Sequence, residues 1–217
     1  MRKDWWVPLT GIGFILVAII AFLVGGEPPE ADSPVQEVVD FYVDDKDSIQ
    51  AGALLIGIAA ALLVFFAGHL RSVLAAAEGP NGRLSAVAFA GAVILAAGAA
   101  IDGTISFALA EAADDIEPSA VQALQALWDN DWLPLALGTC LFLLASGLSI
   151  VRHGALPQWL GYIAIVLGVI SLTPIGFVGF LGGAVWIAVT SVLMTLALRS
   201  ERDDGRGAPV APAPPPM

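Results

Sequence analysis

Cysteine is almost missing: one residue, Cys140, in 217. That excludes an internal disulfide framework and any CxxC metal or redox motif. Histidine occurs only twice, at His69 and His153, too far apart in sequence to give a recognisable ligand spacing, so no metal site is expected. Basic residues number only nine, which leaves no basic surface for nucleic acid. Charge of either sign is scarce, at 13% of residues against about 25% in soluble domains. No phosphate-binding loop, catalytic triad or pair of catalytic carboxylates is present, so enzymatic chemistry is not expected and no cofactor is implied.

What fills the chain instead is long apolar runs: 58% of residues are hydrophobic and the mean hydropathy is +0.83. Runs of about 20 apolar residues are the mark of membrane-spanning helices. Six are expected, over 5–25, 50–70, 85–110, 132–151, 157–173 and 177–198. The last two are divided on length. Residues 156–198 carry no charge, and about 43 residues of unbroken helix would extend about 64 Å, twice a bilayer core. Pro174, Gly176 and Gly179 mark the turn. The fold class expected is an all-α polytopic membrane bundle, residues 1–199, followed by a disordered proline-rich tail over 200–217.

Orientation follows the basic residues. Arg2, Lys3, Arg71, Arg83, Arg152, Arg199, Arg202 and Arg206 fall on one side of the six-span arrangement and only Lys46 on the other, so both termini are expected in the cytoplasm. The acids collect outside, in two loops. Trp5, Trp6, Trp132 and Trp159 sit at span ends, where indole rings favour the headgroup zone. The first span has a basic start, but its apolar core exceeds the 7–15 residues of a signal peptide, and a retained helix is expected.

Each outer loop contains an amphipathic segment. In 33–43, Ser33, Pro34 and Gln36 read as a capping box with proline at the first helical position, and Val35, Val38, Val39, Tyr42 and Val43 share a face. In 117–128 the apolar face is Val121, Leu124, Leu127 and Trp128. Both segments are expected as short helices lying over the bundle. The span–helix–span order therefore occurs twice, which duplication and shared physics explain about equally.

One acid interrupts an apolar span: Asp102, in LAAGAAIDGTISFALA. Counting eight residues inward from Ala110 places it about 12 Å below the membrane edge. Gly91, Gly98 and Ser106 share its face, which marks that face as packed against other helices. The same counting puts Thr139, Cys140 and Trp186 level with it and no cation, so the carboxyl is expected in its protonated form. Two roles follow. As a structural group it pins the third span to its neighbours; as a functional group it titrates or binds a ligand. The structural role carries more weight, because proton relays string several ionisable groups together and no second one lies within the spans. At the inner ends, His69 with Arg71 and Arg152 with His153 read as interfacial anchors, or as a joint site for an anion or lipid headgroup. The acids Asp40, Asp44, Asp45 and Asp47 lack the order of a calcium-binding loop.

Three stretches carry a likeness to a known group: VVDFYVDDKDSI with FFAGHLRSVL around the second span, NGRLSAVAFAGAVILAA opening the third, and GALPQWLGYIAIVLGVISL leading into the fifth. Across residues 5–199 the chain resembles small alanine- and glycine-rich polytopic membrane proteins of unknown function from actinobacteria and related bacteria. The resemblance implies the same topology and a bacterial inner membrane, and it brings no activity or site residues. The function expected is a non-enzymatic accessory or interaction component of the cell envelope. Its partners would be membrane lipids and a membrane protein or second copy, met through small-residue faces at Gly91, Gly98, Gly182 and Gly183. The alternative is a small transporter or sensor that uses Asp102 to bind a proton, small solute or lipid.

Overall fold

The computed structural model describes residues 6–207, and every regular element in that range is helical. A 3₁₀ turn, Val7–Leu9, leads into α1 (Thr10–Gly25). Then follow α2 (Val35–Asp44), α3 (Lys46–Glu78), α4 (Arg83–Ala112), α5 (Pro118–Asp129), α6 (Trp132–His153), α7 (Gln158–Ile170) and α8 (Gly176–Gly207). Five segments are long and apolar enough to cross a membrane, which makes this a multi-pass membrane protein. The sixth expected span, 157–173, is shorter: α7 has 13 residues, about 20 Å of helix against a core of about 30 Å. The tail expected from residue 200 is helical as far as Gly207, where α8 continues the preceding helix; 208–217 lie outside the described residues, as do Arg2, Lys3 and Trp5.

Large side chains interlock in one core, with Leu63, Phe66 and Leu70 of α3, Leu95 of α4, Phe142 and Leu143 of α6, and Trp186 and Met194 of α8 buried together and Phe14 and Ile15 of α1 packed against them. Where no large side chain intervenes, small residues let backbones meet. Gly91 lies on the backbone at Leu141 and Phe142, Gly138 on the backbone of Leu95, and Gly98 on Pro134 and Leu135. These three contacts bring α4 and α6 into antiparallel register without the hydrophobic drive that operates in water. The α7–α6 seam uses Gly147, Gly161 and Gly168 in the same way. Gly182 packs on Leu167 of α7, and Gly183 on Leu143 of α6.

Antiparallel packing sorts the charges between the two ends. Arg71, Arg83, Arg152 and Arg199 all lie toward the end formed by the last turns of α3, α6 and α8 and the start of α4. Lys46 lies at the opposite end, bridged to Glu111 at 3.4 Å. Trp6, Trp132 and Trp159 stand at helix starts and are each more than half exposed.

The acidic end carries a second, smaller core. Val38, Val39 and Tyr42 of α2 and Val121 of α5 are buried with Ile49 of α3, Leu109 and Ala110 of α4, and Ala113 just past its end. Val43 and Leu127, expected on the buried faces, are instead 41% and 54% exposed. The capping box does not form: no side chain caps α2, and the Gln36 amide donates to Asp40 at 2.7 Å. Ser33 contributes its carbonyl to the Gln122 side chain instead.

A polar centre holds the basic end. Glu78, the last residue of α3, accepts bonds through Oε1 from the Ser85 amide at 2.8 Å and the Ser149 hydroxyl at 2.6 Å. Its Oε2 accepts from the Leu84 amide at 3.1 Å. A carboxylate from one helix thus caps the free N–H groups of α4, where the helix dipole favours negative charge, and ties in α6. Glu78→Ala is expected to orphan these donors and to cost about 1–3 kcal/mol. The check is thermal unfolding in detergent, with Glu78→Gln recovering only part of the loss because an amide oxygen accepts fewer and weaker bonds.

Candidate functional site

Asp102 lies elsewhere than counting from Ala110 suggests. The last turns of helix α4 belong to the second core: Ile105, Leu109 and Ala110 pack there with α2 and α5. The register with α6 gives the corrected depth. Gly98 faces Pro134 and Leu135, and Asp102, four residues or about 6 Å further along, comes level with Asp131, just before the first turn of α6. Thr139, Cys140 and Trp186 lie deeper.

The four residues expected to cluster therefore do not. Trp186 is buried against Phe142 in an edge-on pair at 5.8 Å, and its indole N–H donates to the Leu160 carbonyl at 2.9 Å, a helix-packing role. Cys140 is buried, its backbone carbonyl close to Gly168 of α7. Thr139 is 3% exposed and its hydroxyl has no hydrogen-bond partner. Asp102 is half-buried and lines an open cleft of about 600 Å³ with Glu30, Asp32, Asp129, Asp131, Trp128 and Trp132.

The cleft is built from three places in the chain, and α5 holds them together. Gln125, fully buried, accepts the Tyr42 hydroxyl at 2.5 Å and donates to the Pro29 carbonyl at 3.0 Å and to Asp129 at 2.9 Å. Gln122 donates to the carbonyls of Ala31 and Ser33. Asp129 accepts the Ala31 amide at 2.8 Å. These bonds fasten the segment 29–33 over the mouth of the bundle, and with it Glu30 and Asp32 beside Asp102. Burial, reinforced by the Asp129 carboxylate, holds the Tyr42 phenol well above its usual range, so the hydroxyl stays a donor to Gln125. On sequence alone Gln122 and Gln125 read as the solvent face of an amphipathic helix; only the packing of α5 on the 29–33 segment turns them inward.

Electrostatically the cleft is uncompensated. Lys46 is engaged with Glu111, both through its carboxylate and through its backbone carbonyl at 3.3 Å. None of the residues lining the cleft is basic. Among the described residues no group of three or more acids, histidines or cysteines has metal-binding geometry. What the arrangement offers is a concave, acid-lined surface with two indole walls, the chemistry that suits an organic cation.

At the basic end the two expected anchor pairs stay apart. Arg71 lies over the Phe89 ring at 5.7 Å, and His153 Nδ1 is 3.2 Å from the Ser149 carbonyl in the last turn of α6. His69 Nε2 is buried without a partner. Among the described residues no hydrogen bond or ion pair joins the α3 pair to the α6 pair, and Glu78 is the polar junction there.

A second concavity adjoins the first. It measures about 590 Å³ and is lined by Trp132, Leu135, Ala136 and Thr139 of α6, the turn Ser171–Pro174, and Gly176, Phe177 and Phe180 of α8. Its cause is the shortness of α7. Ser171, just past the end of α7, is level with Ala136, its hydroxyl 3.4 Å from that carbonyl, so the first turn of α6 has no α7 residue beside it.

Compared with protein-family models, curated proteins and solved structures, the chain matches none.

Proposed function

We propose that this is a non-enzymatic, six-span protein of a bacterial cytoplasmic membrane, with both termini in the cytoplasm, that binds a cationic ligand in the cleft around Asp102 on the outer side. The observation that carries the reading is the position of Asp102: half-buried, in the lining of an open, acid-lined cleft. An acid whose only task was to pin α4 would be enclosed and hydrogen-bonded to a neighbour. The expectation that gave the structural role more weight rested on the lack of a second ionisable group within the spans; what supports the binding reading is that Glu30, Asp32, Asp129 and Asp131 line the same cleft as Asp102.

Orientation rests on the basic residues at the end away from the cap. The sixth crossing is made by α7 together with the turn that follows it, the bundle being thin at that point. Binding is favoured over transport by what lies below the cleft. Leu63, Phe66, Phe142, Leu143 and Trp186 close the centre of the bundle, and no chain of ionisable groups leads from Asp102 to the other end among the described residues. A protein of this form serves as a sensor or accessory receptor, passing occupancy of its outer face to a partner in the membrane.

The test is titration of the purified protein in nanodiscs with tetramethylammonium, followed by tryptophan fluorescence, since Trp128 and Trp132 form the walls. Saturable binding is expected, weakened about tenfold by Asp102→Asn, a loss of about 1.4 kcal/mol. Binding should also fall as salt rises. Equal affinity in wild type and Asp102→Asn would defeat the proposal.

A further inference from the structure

The acidic cleft and the apolar groove are lined in common by Trp132 and Leu135, so one indole and one leucine of α6 form the partition between them. On one side stand carboxylates; on the other are Ala136, Leu172, Phe177 and Phe180, with Thr139 at the deep end. Trp132 opens α6 and is 56% exposed, which places the partition where a tryptophan favours the headgroup zone. The head-binding chamber thus lies at the membrane surface, and the apolar chamber runs inward from it. A molecule that fills both has a positive head and an apolar chain. The Thr139 hydroxyl adds a third requirement. It is almost wholly buried in the groove wall with no partner, and an orphan of that kind is ordinarily satisfied by a neighbour or an occupant.

We infer that cleft and groove are two halves of one site for a cationic amphiphile, its ammonium head among Asp102, Asp131 and the indoles, and its chain passing Leu135 into the groove between α6 and α8 toward Thr139. This rests on the cation-binding reading of the cleft and adds the class of ligand. Charge complementarity decides the head: the cleft is lined by acids and by no base, which disfavours anionic and zwitterionic phosphate heads. The shortness of α7 decides the chain, because it leaves an apolar slot that neighbouring helices do not fill.

Choline esters of increasing acyl length test the inference, since all carry the same head and ester oxygen. Acetylcholine, butyrylcholine and octanoylcholine are titrated into the full-length protein in nanodiscs, with empty discs subtracted. Affinity is expected to rise at least tenfold from the acetate to the octanoate ester. Ala136→Phe, which fills the groove, is expected to flatten that series; Leu172→Trp, on the exposed turn, is the second filler should the first variant fail to fold. Acetylcholine binding that depends on Asp102 but does not strengthen with chain length overturns the inference and leaves the cation reading standing. A chain-length gain that survives both fillers also overturns it, because the chain then lies in lipid. Absence of any Asp102-dependent binding, at every length, removes both.

Discussion

Gly138→Val is expected to be among the most damaging single substitutions in the membrane part of the protein. The site has no room: a Cβ at position 138 would run into the backbone of Leu95, and backbone in the middle of a helix does not swing aside as a side-chain end does. The two helices must separate, and with them go the Gly91 and Gly98 contacts, which share the same seam. Overpacking of this kind costs about 1–3 kcal/mol in soluble cores, and the upper part of that range is expected here because three contacts are lost together. Thermal unfolding in detergent checks it. The same substitution at Gly57, where nothing lies within 4 Å of an added Cβ, is the control and is expected to leave the melting temperature nearly unchanged.

Gln125→Leu is expected to act on the cap and spare the bundle. The side chain is fully buried, joins α5 to Tyr42 and to the Pro29 carbonyl, and donates to Asp129 one turn along the same helix. Leucine has a similar volume but bonds none of them, leaving a buried phenol and a carbonyl unsatisfied at about 1–3 kcal/mol. The consequence for function is larger than the consequence for stability. Once the 29–33 segment is no longer held, Glu30 and Asp32 leave the cleft, and cation affinity falls although Asp102 is untouched. Amide hydrogen exchange locates the effect: faster exchange is expected across residues 29–44 and 118–129, with the α4–α6 seam as protected as in wild type. Uniform deprotection of the whole chain would show that the cap and bundle do not behave as separable units.

Much of this architecture was legible in the hydropathy pattern, because a 20-residue apolar run has few physical readings. The misreadings share a cause: each residue's local pattern was overridden by a partner distant in sequence. Asp102 was counted inward from Ala110, and the hydropathy of α4 gives no sign that Leu109 and Ala110 are taken up by the small core with α2 and α5. Ser33 and Gln36 have the spacing of a capping box, but Gln36 bonds Asp40 and the Ser33 carbonyl is taken by Gln122, 89 residues away. Glu78 ends α3, yet its side chain caps a different helix, α4. For Trp132 and Asp131 the signal was present, in an acidic turn running straight into an indole; what sequence did not reveal is that Asp102 joins them.

The central claim, that Asp102 faces an acidic cleft open to the outside, is tested most directly by thiol labelling. Asp102→Cys is made in a Cys140→Ser background and treated in intact cells with membrane-impermeant methanethiosulfonates, one bearing a trimethylammonium group and one a sulfonate. Labelling from outside is expected, faster with the cationic reagent because Glu30, Asp32, Asp129 and Asp131 remain around the new thiol. A thiol that reacts only after denaturation, or only from the cytoplasmic side, would contradict the account.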